Sequence, residues 1–415
     1  MNNNIDSFVL GINYWPSKKG MYWWKQYEHN EVKSDFFLIK DSGFSVVRIF
    51  LLWEDFQPEP SRVSLNMVKN LVDVADIAKD TGLKIMPTFF TGHMSGVNWL
   101  PDWMLSEEMT NSRFPTITDG KIGNKRVRNF YHEEELRDCQ RNQIKNVAGA
   151  LKGHEAVWAW DLGNENSNYI IPLDNMSAEN WLKEMTYELK CLDKRIPVTL
   201  GLHQEDLEED RNMGPREAAE YCDFLSIHGY SAYASWCDAI TDEKVPVFLG
   251  LITRWLGGIN KIKSVKDVLI EEFGICTRPA NDKFKKISYR DAGDIPLISE
   301  DEAEIFYDRT LSLIRNLDFK GAFLWCFADY AESLWNLPPF DKNIHERFFG
   351  IFRDDSSPKR SLNAIRRFIS QKKEAMEAGF NWIDISSEDF YRNPRKNLIH
   401  LFQRFKSINK KTFIK

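Results

Sequence analysis

VWAWDLGNE, residues 157 to 165, is a strand-like apolar run that ends in Asn164 and Glu165. DVLIEEFG, residues 267 to 274, is a second such run, carrying Glu271 and Glu272 near its end. SVVRIFLLW, residues 45 to 53, is apolar apart from Arg48. Unbroken apolar runs suit strands buried on both faces, as in parallel sheets. Working outward, FVLGINYW (8–15), LKIMPTFF (83–90), IPVTLGL (196–202), DFLSIHGY (223–230) and GAFLWCFADY (321–330) read as strands too. Helical spacing fills the gaps between them. Val32, Phe36 and Ile39 share one face in a segment ending near Gly43. Val68, Leu71, Val72, Ala75 and Ala78 mark another, stopped by Gly82. Further helices are expected around 133–151, 300–317 and 358–377. Eight strand–helix units give an α/β fold, a (β/α)8 TIM barrel. The barrel is expected over residues 1–377. Residues 378–415 are expected as a short helical appendage, packed on the barrel or on a neighbouring subunit.

The chain has 415 residues and is 43% hydrophobic, enough for a large core. Its net charge of −6 is spread among interspersed acidic and basic residues, which argues against a general attraction to nucleic acid or anionic membrane. The basic stretch from Pro394 to Lys415 reads as a solvated helix face. The start, MNNNIDSFVLGINYW, has no charged region followed by an apolar stretch. A cytoplasmic protein is therefore expected. Six scattered cysteines without a CxxC pair suit reduced thiols, and no cluster has metal-site spacing. No cofactor and no metal are expected. Residues 91 to 131 form a long aromatic insertion with Trp99, Trp103, Phe114 and Phe130. Loops this long are uncommon without a function. The 14 Trp and 28 Phe are mostly core material, and an excess at a pocket would suit a flat, partly apolar ligand such as a sugar ring.

In (β/α)8 barrels the site lies at the carboxyl ends of the strands. Those ends supply Arg48, Trp53 and Glu54, then His93, then Asn164 and Glu165, then His228 and Tyr230, then Glu271 and Glu272, then Trp325. Each has an ordinary reading alone. A Glu after a strand is commonly exposed, and a buried Arg or His must be paired in any core. Six strand ends supplying polar groups together is a different matter. Two carboxylates converging on one face are what glycoside hydrolysis needs: one protonates the leaving oxygen and the other attacks the sugar carbon. Adjacent strand residues point to opposite sides, so only one of Glu271 and Glu272 is expected to face the pocket. The residues alone do not decide which.

With Asn-Glu ending strand 4, Glu ending strand 7, Arg on strand 2, His-x-Tyr on strand 6 and Trp on strand 8, the chain resembles the retaining barrel glycosidases, and among them glycoside hydrolase family 5. The resemblance covers roughly residues 8 to 377. GINYWP, VVRIFLLWEDFQP, MPTFFTGHMSG, LGNE, HGY, EEFG and LW resemble the β-mannosidase and β-mannanase branch. The resemblance implies Glu165 as general acid/base and Glu272 as nucleophile. It implies that Asn164 bonds the sugar 2-hydroxyl and that Arg48 keeps Glu272 ionised. Tyr230 and His228 would orient the two carboxyls, His93 would bind substrate, and Trp325 would be the platform under the sugar. The negative Glu272 is expected to hold the pKa of Glu165 up before attack.

The resemblance points to β-linked mannose on a small oligosaccharide. The insertion could wall off one end of the cleft, with Trp99 and Trp103 either in that wall or simply packing it onto the barrel. The expected activity is a retaining exo-acting β-mannosidase. An endo-β-1,4-mannanase, a β-glucan hydrolase and a non-catalytic sugar-binding barrel are the alternatives. Oligomeric state is not legible.

Overall fold

The computed structural model describes residues 8–258, 267–279, 286–289, 293–374, 376 and 379–407. Parts of both expected segments, residues 1–7, 377–378 and 408–415, lie outside that set. Eight strands close a barrel: β1 (Val9–Tyr14), β2 (Val46–Leu52), β3 (Lys84–Thr91), β4 (Trp160–Asn164), β5 (Val198–Leu202), β6 (Leu225–His228), β7 (Val268–Phe273) and β8 (Gly321–Leu324). All neighbours are parallel, in chain order around the ring, with β8 returning to β1. Every strand expected from the sequence is present. The continuous apolar runs are explained by burial on both faces: every residue of β2 is buried.

The helices form where the apolar spacing and the end signals agree. α1 (His29–Asp41) buries Val32, Phe36 and Ile39. α2 (Leu65–Thr81) starts where the Ser64 side chain accepts from the Met67 backbone N–H, and ends at Gly82 with φ +73. That left-handed turn favours glycine. Val72 is only half-buried; Val74 and Ile77 complete the buried face instead. α3 (Glu134–Ala150), α4 (Asn175–Leu192), α5 (Pro215–Tyr221) and α6 (Lys244–Gly257) follow. α7 (Glu300–Asn316) opens on a reciprocal Ser299–Glu302 cap. α8 (Ser361–Ser370) ends several residues short of the expected boundary.

The insertion after β3 is not a long loop. Its residues pair as a small four-stranded sheet (His93–Met94, Val97–Trp99, Thr116–Thr118, Lys121–Gly123) and a ribbon of Leu105–Met109 with Lys125–Val127. Short pairings of this kind carry little periodicity for a sequence reading to detect. Near the C-terminus, α9 (Ser387–Arg392) and α10 (Pro394–Ser407) lie against α6. Leu398, Leu401, Phe402 and Phe405 are buried, and the Phe402 ring meets Trp236 and Phe248 at 4.8 and 5.0 Å. Burying such side chains contributes roughly 1.5–3 kcal/mol each. α10 thus has an apolar face as well as a basic one. Among the described residues no helix is long and apolar enough to cross a membrane.

The barrel interior is layered. Val46, Met86, Ala159, Phe224, Leu269 and Phe323 form an apolar plug. Two residues further along the same strands come Arg48, Thr88, Asp161 and Glu271, all fully buried. The alternation of side chains along a strand makes this second layer polar and places it directly under the mouth.

Candidate active site

Arg48 is the centre of the polar layer. Its guanidinium donates to Asp161 Oδ2 at 2.7 Å and to Glu272 Oε1 at 2.5 Å, and lies 3.3 Å from Glu271 Oε2. It also donates to Asn164 Oδ1 and Asn13 Oδ1. Gly201 makes room for this cluster. A Cβ there would come within 2.5 Å of Glu271 Oε2 and 2.9 Å of Arg48 Nη2. Burial, then the charge of Glu271, raises the Asp161 carboxyl to about 7 against the pull of Arg48.

Both glutamates of EEFG are buried, but only Glu272 faces the pocket. Glu271 follows the alternation from Leu269 into the barrel. Glu272 should then point outward, but β7 carries a register shift. Ile270 pairs with Ile227, yet the next residue of β6, His228, pairs with Glu272. The extra residue re-aims the strand end. Glu272 lines the pocket, whereas Glu271 lies beneath it.

Glu165 follows β4 in a left-handed conformation, φ 51, with its amide donating to the Gly201 carbonyl. Its Oε2 accepts from Asn168 at 2.8 Å, and its Oε1 accepts from His228 Nδ1 at 2.8 Å. His228 Nε2 meets Glu271 Oε2 at 3.2 Å, and its Nδ1 lies 3.4 Å from Glu272 Oε2. The Tyr230 hydroxyl donates to Glu272 Oε2 at 2.7 Å. Asn164 donates to the His93 carbonyl. Trp325 lines the pocket with its ring edge-on to Phe50. His93 lies 3.8 Å from Glu165 and bonds Asn98. The eight residues singled out from the sequence therefore converge. Trp53 and Glu54 do not: Trp53 is buried on Gln57, and Glu54 pairs with Lys25.

Burial lowers His228, but Glu272, Glu165 and Glu271 more than offset it and raise the imidazole to about 10. Burial raises Glu165, but His203, His228 and His93 outweigh it and bring the carboxyl below its ordinary range. Burial, aided by the charge of Glu165, raises Glu272 although His228 and Arg48 oppose it. This reverses the expected order of the two carboxyls. The physical reason is that His203 and His228 together pull Glu165 down, while the charge of Glu165 adds to burial in raising Glu272. A pH test follows. His228 is near 6.5 when unfolded and about 10 when folded. Its charge therefore contributes stability fully below about 6.5, and that contribution is lost as pH rises toward 10. His228→Asn should destabilise most near pH 6 and progressively less toward pH 10, measured as the difference in urea-unfolding free energy. A pH-independent difference would contradict the assignment.

Several lining residues escaped the sequence reading. His203 directly follows β5 and lies 3.7 Å from Glu165 and 3.8 Å from Glu205. The strand-end rule applied to IPVTLGL would have found it. Glu205 is bound by Arg113 and Arg211. Burial works against its charge, but His203 and these arginines hold it at about 2. Arg395, from α10, bonds Ser235 and Glu208 at the rim. Ser95, Tyr233 and Glu346 also line the pocket, and no strand end announces them. Trp99 and Trp103 anchor the insertion: the Trp99 indole donates to the Met94 carbonyl within it while its ring meets Tyr22, the Trp103 indole donates to the Gln57 carbonyl, and neither lines the pocket.

The pocket holds about 330 Å³, at the small end of the ~300–1,000 Å³ usual for ligand sites. One side is walled. Asn343 Nδ2 donates to the Ser95 carbonyl at 2.6 Å, and Ser95 Oγ donates to Glu346 Oε2 at 3.1 Å. These contacts join the segment after β3 to the segment after β8, across the mouth above β1 and β2. Gly96, φ +78, sits in this bridge, where a Cβ would come within 2.6 Å of Asn343 Nδ2. Glu165, His203 and Glu205 lie on the opposite side, after β4 and β5. Among the described residues, Glu165, His228 and Glu272 present atoms within 4.8 Å of one another, close enough for a shared cation. The donor set does not fit one: a protonated imidazole is no ligand, and the Arg48 guanidinium already occupies Glu272.

No protein-family model matches the chain, and no curated protein matches it. Solved structures do match in fold. An exo-β-1,4-mannosidase from Opitutaceae bacterium strain TAV5 superposes with TM-score 0.68 at 21% identity, over 88% of this chain. This chain spans only 59% of that enzyme's length. GH5_18 from Streptomyces cattleya, in complex with GlcNAc, gives 0.72 at 18% identity, over 89% of this chain and 82% of that one. A GH5_18 variant from Bifidobacterium longum subsp. longum ATCC 55813, in complex with Manβ1-4GlcNAc, gives 0.71 at 18% identity, over 90% and 80%. The chain has the (β/α)8 barrel fold of these family 5 glycoside hydrolase structures.

Proposed function

We propose that this protein is a retaining, exo-acting β-mannosidase that removes terminal β-linked mannose from short oligosaccharides. The observation that carries the reading is the pair Glu165 and Glu272, with an oxygen of each within 4.8 Å across a small pocket. Retaining glycosidases hold their carboxyls ~5–5.5 Å apart, whereas inverting ones leave ~6.5–9.5 Å for a water. The Ser95–Asn343–Glu346 wall supports exo action, because it leaves the Glu165 side for the leaving group. The mannosidase and the Manβ1-4GlcNAc complex among the similar folds support the choice of glycone. The free thiols of Cys139, Cys191, Cys237, Cys276 and Cys326 suit the cytoplasm.

The mechanism assigns each proton. His228 donates to Glu165 at 2.8 Å. Transfer of that proton, uphill in the free site where Glu165 is the stronger acid, neutralises both groups and makes Glu165 the acid. Glu272 attacks C1, and Glu165 gives its proton to the departing oxygen. A glycosyl ester on Glu272 results. Glu165, now a carboxylate beside neutral His228, takes a proton from water as the water attacks C1. The ester breaks, the sugar leaves with its β configuration, and the proton returns to His228. Arg48 and Tyr230 hold Glu272 in line throughout.

Glu165→Ala tests the reading. Its kcat on substrates with poor leaving groups should fall by about 10²–10⁴-fold, the usual range for general acid–base catalysis. Activated aryl β-mannosides should lose far less in the first step, because their leaving groups need no proton. Equal losses across leaving groups would remove Glu165 from the acid role. With manno-oligosaccharides, release of single mannose units, first as the β-anomer by NMR, is expected. Internal fragments would indicate an endo-β-1,4-mannanase. Activity confined to β-glucosides would indicate a glucan hydrolase.

A further inference from the structure

Glu346 is a further carboxylate lining the pocket, and the mechanism does not use it. It is 6% exposed and lies in the turn Ile344–Phe348 after β8. Its Oε1 accepts from the Tyr233 hydroxyl at 2.7 Å, with His345 Nε2 at 3.5 Å, and its Oε2 accepts from Ser95. Burial would raise it, but His345, Tyr233 and Ser95 outweigh burial and hold the carboxyl below its ordinary range. Each carboxylate oxygen accepts about two hydrogen bonds, so capacity remains toward the pocket that Glu346 lines. Its place is defined by its neighbours. Tyr233 packs on Tyr230, the residue that bonds Glu272, and Ser95 belongs to the wall. Glu346 is therefore on the walled side, away from Glu165 and the leaving group.

We propose that Glu346 is a specificity carboxylate that accepts hydrogen bonds from the C4 hydroxyl of the terminal sugar and from one neighbouring hydroxyl. The inference rests on the glycosidase reading. C4 lies across the ring from C1, so a sugar with C1 at Glu272 directs its C4 hydroxyl toward the wall. Hydrogen bonds to an ionised acceptor are roughly twice as strong as neutral ones. A further sugar on that hydroxyl would remove the donor and collide with Ser95 and Asn343. Glu346 then does two things at once: it selects the glycone by its hydroxyls and admits only a chain end.

The test compares an aryl β-mannoside with its 3-, 4- and 6-deoxy analogues. On the wild-type enzyme, kcat/KM should fall about 10- to 100-fold for the 4-deoxy compound and for one of the other two. Glu346→Gln should reduce the parent by a similar factor and leave the 4-deoxy compound nearly unchanged, so the discrimination collapses. A merely structural role would lower parent and analogue alike. Equal hydrolysis of parent and all three analogues by the wild type overturns the inference while leaving the glycosidase reading standing, and so does full discrimination retained by Glu346→Gln. If the wild type cleaves no aryl β-mannoside or β-glucoside, the glycosidase reading fails and the inference fails with it. Should Glu346→Gln not fold, the wild-type analogue series decides alone.

Discussion

Glu272→Ala should lower kcat by on the order of 10⁵–10⁶-fold, the scale of removing an enzyme's nucleophile. No ester can then form. The neighbouring carboxylate cannot substitute, because Glu271 lies below the pocket, engaged by His228 and Arg48. The cavity left by Glu272 sits beside Arg48 and Tyr230, two donors suited to a small anion. Added azide should therefore restore slow turnover of an activated aryl β-mannoside and give the α-mannosyl azide, identified by NMR. Glu271→Ala distinguishes the two glutamates. It should reduce activity by disturbing His228, yet show no azide rescue. Rescue of Glu271→Ala, with Glu272→Ala still active, would move the nucleophile by one residue.

Arg48→Met should be the most destabilising single change at the site. Arg48 is fully buried and contacts Asp161, Glu271 and Glu272. Removing one partner of a buried ion pair typically costs about 3–5 kcal/mol, because the remaining charges are left uncompensated. Methionine keeps much of the length, so the loss reports charge more than volume. The pH dependence has a definite sign. Asp161 already lies at about 7 with Arg48 present, and Glu272 is raised as well. Without the guanidinium both rise further above their unfolded values near 4. Losing Arg48 therefore costs more once pH rises past the point where these groups ionise in the wild-type fold, about 7 for Asp161. Urea unfolding should show a larger loss at pH 8 than at pH 5. An equal loss at both would mean that Arg48 acts through packing alone. Wild-type stability at pH 8 would remove it from the centre of the cluster. Activity should also fall, since Glu272 loses its 2.5 Å partner.

What the sequence determined by itself was the barrel and the membership of its mouth. Buried parallel strands are unbroken apolar runs such as VVRIFLL in β2, and their signal is local. Helix ends such as Ser64 and Gly82 are local too, because capping uses neighbouring backbone groups. Once eight strands are counted, closure places their carboxyl ends together, so Arg48, Asn164, Glu165, His228, Tyr230, Glu272 and Trp325 had to meet. His203 was equally legible from its place after β5. Only the tertiary structure decided the rest. The shift on β7 that turns Glu272 inward beside Glu271 comes from pairing with β6, an interaction between segments far apart in the chain. The wall joins Ser95 to Asn343 and Glu346 across two intervening strands, and no spacing in the sequence encodes that contact. Protonation follows the same rule. His228 is cationic because three carboxylates, one after β4 and two on β7, surround it, and His203 and His228 bring Glu165 below Glu272. Local periodicity determines which residues are buried. The electrostatics of a site depend on which buried charges the fold brings within a few ångströms of one another.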